Sequence, residues 1–178
     1  MTRSVSPAAP VGVVIMGVAG SGKTTTARNL SRALGWAYRD ADEFHPPENI
    51  AKMSRGEPLT DEDRWPWLRA IAAWLAERLA AGESVIVTCS ALKRAYRDIL
   101  AAGRPDVRLV LLAGDRDLIG ARMKARKHHF MPTSLLDSQF AALEPPGPDE
   151  GVVTVSVVQS PRAVVHDIIA CLGLDAAG

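Results

Sequence analysis

The stretch that most constrains this chain runs from Val11 to Leu34. An apolar run, Val13-Val14-Ile15-Met16, leads into Gly17-Val18-Ala19-Gly20-Ser21-Gly22-Lys23-Thr24, and Thr25 to Leu34 follows with helical spacing. It fits the pattern G-x-x-x-x-G-K-[ST], in the strand-then-helix setting that the pattern requires. Glycine lets the backbone turn tightly, so that successive N–H groups converge as an anion nest at the positive end of the following helix. Gly17, Val18, Ala19, Gly20, Ser21, Gly22, Lys23, Thr24 and Thr25 are therefore candidates for holding a nucleotide's phosphates. In that arrangement Lys23 reaches the β and γ phosphates and the Thr24 hydroxyl ligates Mg²⁺. The plainer reading is a glycine-rich turn that binds nothing, and it needs the motif and both of its flanks to coincide by chance.

At 178 residues the chain suits a single domain with a substantial core, over residues 11–178, after a loose tail at residues 1–10. A net charge of +1 gives no global field for nucleic acid or a membrane surface. Cys89 and Cys171 lie far apart without metal-type spacing, which argues against a disulfide framework or a zinc site and fits a reducing, cytoplasmic setting. No apolar run approaches the roughly 20 residues that span a bilayer.

Beyond the first helix, which Gly35 stops, Trp36-Ala37-Tyr38 reads as a short strand that ends in Asp40-Ala41-Asp42. Residues two apart in an extended segment face the same way, so both carboxylates are expected to project together beside the nucleotide loop. One would hold Mg²⁺ through water and the other would orient or deprotonate a hydroxyl; the alternative is that they cap a following turn. Glu43 to Pro58 is polar and proline-rich, contains His45, and is expected to cover the site. Thr60-Asp61-Glu62-Asp63 reads as a capping box opening a helix to Gly82, with Pro66 as a kink or a first-turn residue. Arg64 behind those acids reads by itself as a surface ion pair.

Ser84 to Cys89 is a buried-strand pattern, after which Ser90 is expected to cap a helix reaching Leu100. Lys93 and Arg97 then share one face at i,i+4, near the positive end of the helix dipole, which a bound anion would explain. Val107 to Leu112 is a further strand and Asp115 to Lys127 a helix carrying Arg122 and Arg126. The basic run continues through Lys127-His128-His129-Phe130-Met131-Pro132, so residues at about 122–135 read as a lid that brings positive charge to a transferring phosphoryl group and excludes water. Ser134 to Leu143 returns as a helix with Gln139 on it, Val152 to Val158 is the last strand, and Pro161 to Leu172 the last helix. Strands alternating with helices give an α/β fold, a five-stranded parallel sheet with helices on both faces.

Together these stretches resemble the gluconokinases, small P-loop kinases related in fold to shikimate kinase and the nucleoside monophosphate kinases. The resemblance spans residues 11–172 and is most specific in Cys89-Ser90-Ala91-Leu92-Lys93-Arg94-Ala95-Tyr96-Arg97 and Arg126-Lys127-His128-His129-Phe130-Met131. It implies a P-loop NTPase fold with strand order 2-3-1-4-5, a homodimer, and phosphorylation of D-gluconate to 6-phospho-D-gluconate by ATP with Mg²⁺. It also implies an acceptor pocket at Asp42, His45, Arg64, Lys93 and Arg97, with Gln139 a weaker member. Lys23, Asp42 and Arg126 become the catalytic candidates, Arg122 and Arg126 cover ATP, Pro161 borders the adenine, and Thr24 with Asp40 serves the metal.

The strand ending at Thr88-Cys89 departs from a Walker B pattern in lacking an aspartate, and Glu43 has no evident role beside the aspartates. A shikimate-type or other small-metabolite kinase would share every residue on the ATP side. A nucleotide-binding regulator or nucleic-acid ATPase is opposed by the absence of an Asn-Lys-x-Asp stretch and of a basic excess.

Overall fold

A parallel sheet covered on both faces needs strands that are apolar on both sides, and alternate residues of the central strand serve two separate cores. The computed structural model describes residues 8–126 and 133–175. Five strands, β1 (Gly12–Met16), β2 (Ala37–Asp40), β3 (Val85–Thr88), β4 (Val107–Ala113) and β5 (Val153–Ser156), pair in parallel in the order β2-β3-β1-β4-β5. The five-stranded parallel sheet expected from the alternation is present, and so is the order implied by the resemblance.

Val13 and Ile15 pack on one face with α1 (Lys23–Leu34) and α7 (Pro161–Leu172), through Ala27, Leu30, Val164 and Ile168. Val14 and Met16 pack on the other with α3 (Asp61–Ala80) and α4 (Arg94–Ala101), through Leu68, Ile71, Leu75, Tyr96 and Leu100. α2 (Pro47–Ser54) lies between β2 and α3 in the chain, and α5 (Arg116–Ala125) and α6 (Thr133–Ala142) follow β4. A third, small core of Val18, Ile119 and Leu136, with Leu92, Met123 and Phe140 against it, fastens the phosphate loop to α5 and α6. Arg116 and Asp137 form an ion pair between the same two helices.

The Thr60 hydroxyl accepts from the Asp63 amide (3.2 Å) and the Asp63 carboxylate accepts from the Thr60 amide (2.9 Å), the capping box read from the sequence. Pro66 lies inside α3, past its first turn, and the helix runs on through it because Trp67, Leu68, Ile71, Leu75 and Leu79 bury one stripe. Gly35 ends α1 in a left-handed conformation, as expected. The tail at residues 1–7 and the basic run from Lys127 to Pro132 lie outside the described residues. Among the described residues, no helix is long and apolar enough to cross a membrane.

Candidate active site

The phosphate loop closes between β1 and α1. A β-carbon at Gly20 (φ +77°) would overlap the Met123 side chain of α5, so glycine there permits both the turn and the close approach of the helix. The Lys23 ammonium donates to the carbonyls of Gly17 and Val18, each at 3.0 Å. Burial lowers its pKa, and the fields of Asp40 and Asp42 oppose that shift. Cys89, next to this lysine, is no nucleophile, because burial pushes its thiol up to about 12.

The extended Asp40-Ala41-Asp42 arrangement is corrected by the structure. The chain leaves β2 at Asp40 and enters a 3₁₀ turn at Ala41–Phe44. Asp40 Oδ1 accepts from the Asp42 amide (2.9 Å), while Glu43 accepts from the Asp40 amide (3.3 Å) and from Arg39 Nε (2.7 Å). The turn satisfies backbone groups that an extended segment would leave unpaired, and it gives Glu43 a structural role. It also separates the two aspartates.

Asp40 turns towards β3, where Thr88 Oγ1 donates to its Oδ2 at 3.1 Å, and Thr88 is its partner in the parallel register. The neighbouring strand thus supplies the carboxylate that β3 lacks. The Tyr38 hydroxyl donates to the same Asp40 Oδ2 at 3.4 Å. Thr24 and Asp40 form an oxygen-only set of the kind that suits Mg²⁺, an ion that keeps several waters and takes few protein ligands. Asp40 oxygens already accept protein hydrogen bonds, which favours contact with such an ion through water.

The Asp42 side chain is 89% exposed to solvent. The surrounding protein and then the charge of Asp40 raise its pKa, with His45 and Lys23 opposing. His45 Nε2 lies 3.9 Å from Asp42 Oδ1, and its ring stacks on Trp67 at 4.4 Å and 11°. Trp67 is itself anchored by its Nε1–H to the Ala41 carbonyl (2.7 Å). The Asn49 amide nitrogen donates to the Asp63 carbonyl (2.9 Å) and approaches His45 Nδ1 (3.2 Å). Nδ1 is therefore an acceptor, and the ring proton sits on Nε2, facing Asp42. Burial lowers the His45 pKa, Asp42 opposes this, and Arg64 adds to it, so the site favours the neutral ring.

Arg64 belongs to a second cluster. Its Nη1 lies 3.7 Å from Asp61 Oδ1 and donates to the Tyr96 hydroxyl at 3.3 Å. Lys93 Nζ sits 3.1 Å from both Asp61 oxygens, and the Tyr96 hydroxyl donates to Asp61 Oδ1. The polar side chains thus form two clusters, Asp42 with His45 in the field of Lys23, and Arg64, Lys93 and Tyr96 around Asp61.

The expected pairing of Lys93 with Arg97 does not occur. Ala91 adopts φ +45°, so no helix starts at Ser90; α4 begins at Arg94, and Lys93 is its cap residue. Arg97 is 2% exposed; its guanidinium pairs with Glu150 (2.8 and 3.1 Å) and donates to the carbonyls of Ala91 and Leu92. The anion it meets is Glu150, and it braces the left-handed turn behind Lys93. Gln139 likewise turns to the nucleotide side, where its Oε1 accepts from the Ala19 amide (2.5 Å). Arg122 is half-buried on α5, Arg126 is exposed just past its end, and Pro161 opens α7 behind the Ser160 cap.

Asp61, Tyr96, Asn49 and Trp67 were not among the sequence candidates. Their signal was present in the spacing of the Thr60 to Arg64 and Cys89 to Arg97 stretches, but only the fold brings α3 and α4 together.

A family model described as an AAA domain matches residues 13–146. A gluconokinase of Gluconobacter oxydans (strain 621H) is 46% identical over 157 residues, which is 88% of either chain. The thermoresistant gluconokinase of Escherichia coli (strain K12) is 45% identical over 88% of this chain and 90% of that one. The crystal structure of a gluconokinase from Sinorhizobium meliloti 1021 superposes with a TM-score of 0.81 at 46% identity, covering 93% of each chain. Likeness at this level, carried along nearly the whole domain and on the same scaffold, fixes the descent: the chain belongs to the gluconokinase family of P-loop kinases.

Proposed function

We propose that this protein transfers the γ-phosphoryl group of ATP to the terminal hydroxyl of D-gluconate, giving 6-phospho-D-gluconate and ADP. One observation carries the reading: an exposed acid, Asp42, stands beside His45 (3.9 Å) in the field of Lys23, while Lys93 and Arg64 gather around Asp61 as a separate cationic cluster. A linear sugar acid has an alcohol at one end and a carboxylate at the other, and these two clusters offer an acid for the one and cations for the other. Family membership supports the same acceptor.

In this reading the amides of the Gly17 to Thr24 loop hold the phosphates, and Lys23 neutralises charge on the transferring group. Mg²⁺, held by Thr24 and through water by Asp40, would screen the β and γ oxygens. Asp42 accepts the proton of the terminal hydroxyl, and its raised pKa makes it a better base than an ordinary surface aspartate. His45 presents its Nε2 to Asp42 at 3.9 Å and borders the place of the attacking hydroxyl. Lys93 and Arg64 take the carboxylate. Arg97 acts here only by bracing the turn behind Lys93, and Gln139 by holding the loop at Ala19. Arg122 and Arg126 cover ATP within a lid at about 122–135, and Pro161 borders the adenine. The reading includes a cytoplasmic homodimer with one kinase domain over residues 11–178.

The test is ADP release with ATP, Mg²⁺ and separate acceptors. Gluconate is expected to drive release well above buffer. Release with shikimate or a nucleotide, and none above buffer with gluconate, overturns the assignment.

A further inference from the structure

Asp61 is an odd neighbour for an anion-binding site. Lys93, Arg64 and the Tyr96 hydroxyl all converge on its carboxylate. The start of α3 does not require it, because the capping box is made by Thr60 and Asp63, and Asp63 also takes Lys52 at 2.7 Å. An acid in the first turn gains only tenths of a kcal/mol from the helix dipole. Yet Asp61 accepts from Lys93 and Tyr96 and pairs with Arg64 at 3.7 Å, and its side chain, with those of Lys93 and Arg64, keeps about a third of its surface exposed (37, 36 and 32%).

We infer that Asp61 is a specificity-determining residue: it leaves the far end of the acceptor cleft with one net positive charge, matched to a single carboxylate, and so disfavours acceptors that end in a dianionic phosphate. The count is direct, since Lys93 and Arg64 contribute two positive charges and Asp61 one negative. Without Asp61 the same pair of cations would suit a phosphate monoester, as paired basic side chains commonly do. Lys93 also shares its ammonium equally between the two Asp61 oxygens, which fixes its direction and leaves part of its surface for a second acceptor. Tyr96 donates its own proton to Asp61, which keeps the phenol from competing for the ligand.

This inference rests on Lys93 and Arg64 being the anion-binding end of the acceptor site, and its test separates the two ideas. At saturating ATP, which fills the phosphate loop, inorganic sulfate serves as the dianion probe and its inhibition constant against gluconate is measured. Asp61→Asn is expected to tighten sulfate about tenfold, the order expected for one unit charge a few ångströms away in a partly solvated site. The gluconate KM falls less, kcat stays within about twofold, and Asp61→Glu returns the wild-type ratio. A KM that rises with no gain for sulfate overturns the inference, because Asp61 would then be a strut for Lys93.

Should gluconate prove not to be the acceptor, calorimetric titration of sulfate into the ADP-saturated wild-type and Asp61→Asn proteins still decides the question. Equal affinities overturn the charge assignment, and tighter binding to the variant supports it whatever the acceptor is. Should Asp61→Asn fail to fold, Asp61→Ser removes the same charge with a smaller side chain. It must tighten sulfate about tenfold, and unchanged sulfate affinity rejects the inference.

Discussion

In the proposed reading the nucleotide end and the acceptor end of the site are built on different principles. The nucleotide end is one contiguous stretch, Gly17 to Thr24, whose functional groups are main-chain amides at the start of α1. The acceptor end collects side chains from a 3₁₀ turn, α2, α3 and the loop before α4, and the charges of Arg64, Asp61 and Lys93 are set against one another there. A phosphate chain needs the same recognition in every kinase, so a fixed backbone nest serves it. An acceptor must be told apart from its relatives, and that task falls to side chains whose charges are set against one another. The ion pairs at the acceptor end are accordingly less a source of stability than a way of setting how much charge remains for the ligand.

This contrast breaks most readily at Asp42, where the two ends meet. Asp42→Asn should lower kcat by about 10²–10⁴ while leaving ATP affinity unchanged, as loss of a positioned base does. Turnover near that of the wild type would remove Asp42 from the chemistry and leave the acceptor end without an acid.

Arg97 sharpens the comparison, because it belongs by sequence to the acceptor end and by structure to the core. Arg97→Met strands Glu150, whose side chain is 5% exposed, and breaking a buried pair from one side costs about 3–5 kcal/mol. The melting temperature should fall by roughly 6–20 °C for a domain of this size. The pairing holds the Glu150 pKa below its ordinary value, so the contribution is present above pH 4.5 and is lost as pH falls through the depressed value. A variant that melts like the wild type but binds gluconate poorly would return Arg97 to the acceptor pocket.

Lys93→Ala should act on binding alone, raising the gluconate KM about tenfold with kcat little changed, since it removes one charge from a partly exposed site. Unchanged gluconate kinetics would place the carboxylate elsewhere.

What the sequence made legible follows the same division. The loop could be read because its chemistry is local: motif, strand and helix all lie within Val11 to Leu34. The sheet could be read because buried parallel strands leave apolar runs, as in Val85 to Thr88. The acceptor end was harder to read because small shifts in local structure reassign its side chains. Starting α4 at Arg94 instead of just after Ser90 turns an i,i+4 pair into two unrelated residues, and the left-handed turn at Ala91 that causes this has no glycine to announce it. The 3₁₀ turn after Asp40 is equally quiet in composition, since aspartates suit both strand ends and caps. Asp40 could be put on the metal side from its position, but its pairing with Thr88 is a fact of register between strands 48 residues apart in sequence.

The smallest expected effect concerns the stability associated with Asp42. Its carboxyl pKa is raised in the folded protein, first by the surrounding protein and then by Asp40, so the fold prefers its protonated form. Folded protein then binds more protons than unfolded protein between the ordinary value of 3.8 and the raised one, and stability falls as pH rises through that window. Above the window the wild type carries an electrostatic penalty that Asp42→Asn lacks. The inactive variant should therefore melt slightly higher than the wild type at pH 7, with the gap closing as pH drops towards 3.8. Solvent reaches most of this side chain, so the gap is small, and its sign is the informative part. A variant that melts lower at pH 7 would mean that Asp42 contributes more to the fold, through His45, than it loses to Asp40. The acid of the acceptor end would then be part of the scaffold, and the contrast between a backbone-built nucleotide end and a charge-tuned acceptor end would fail where the two are closest.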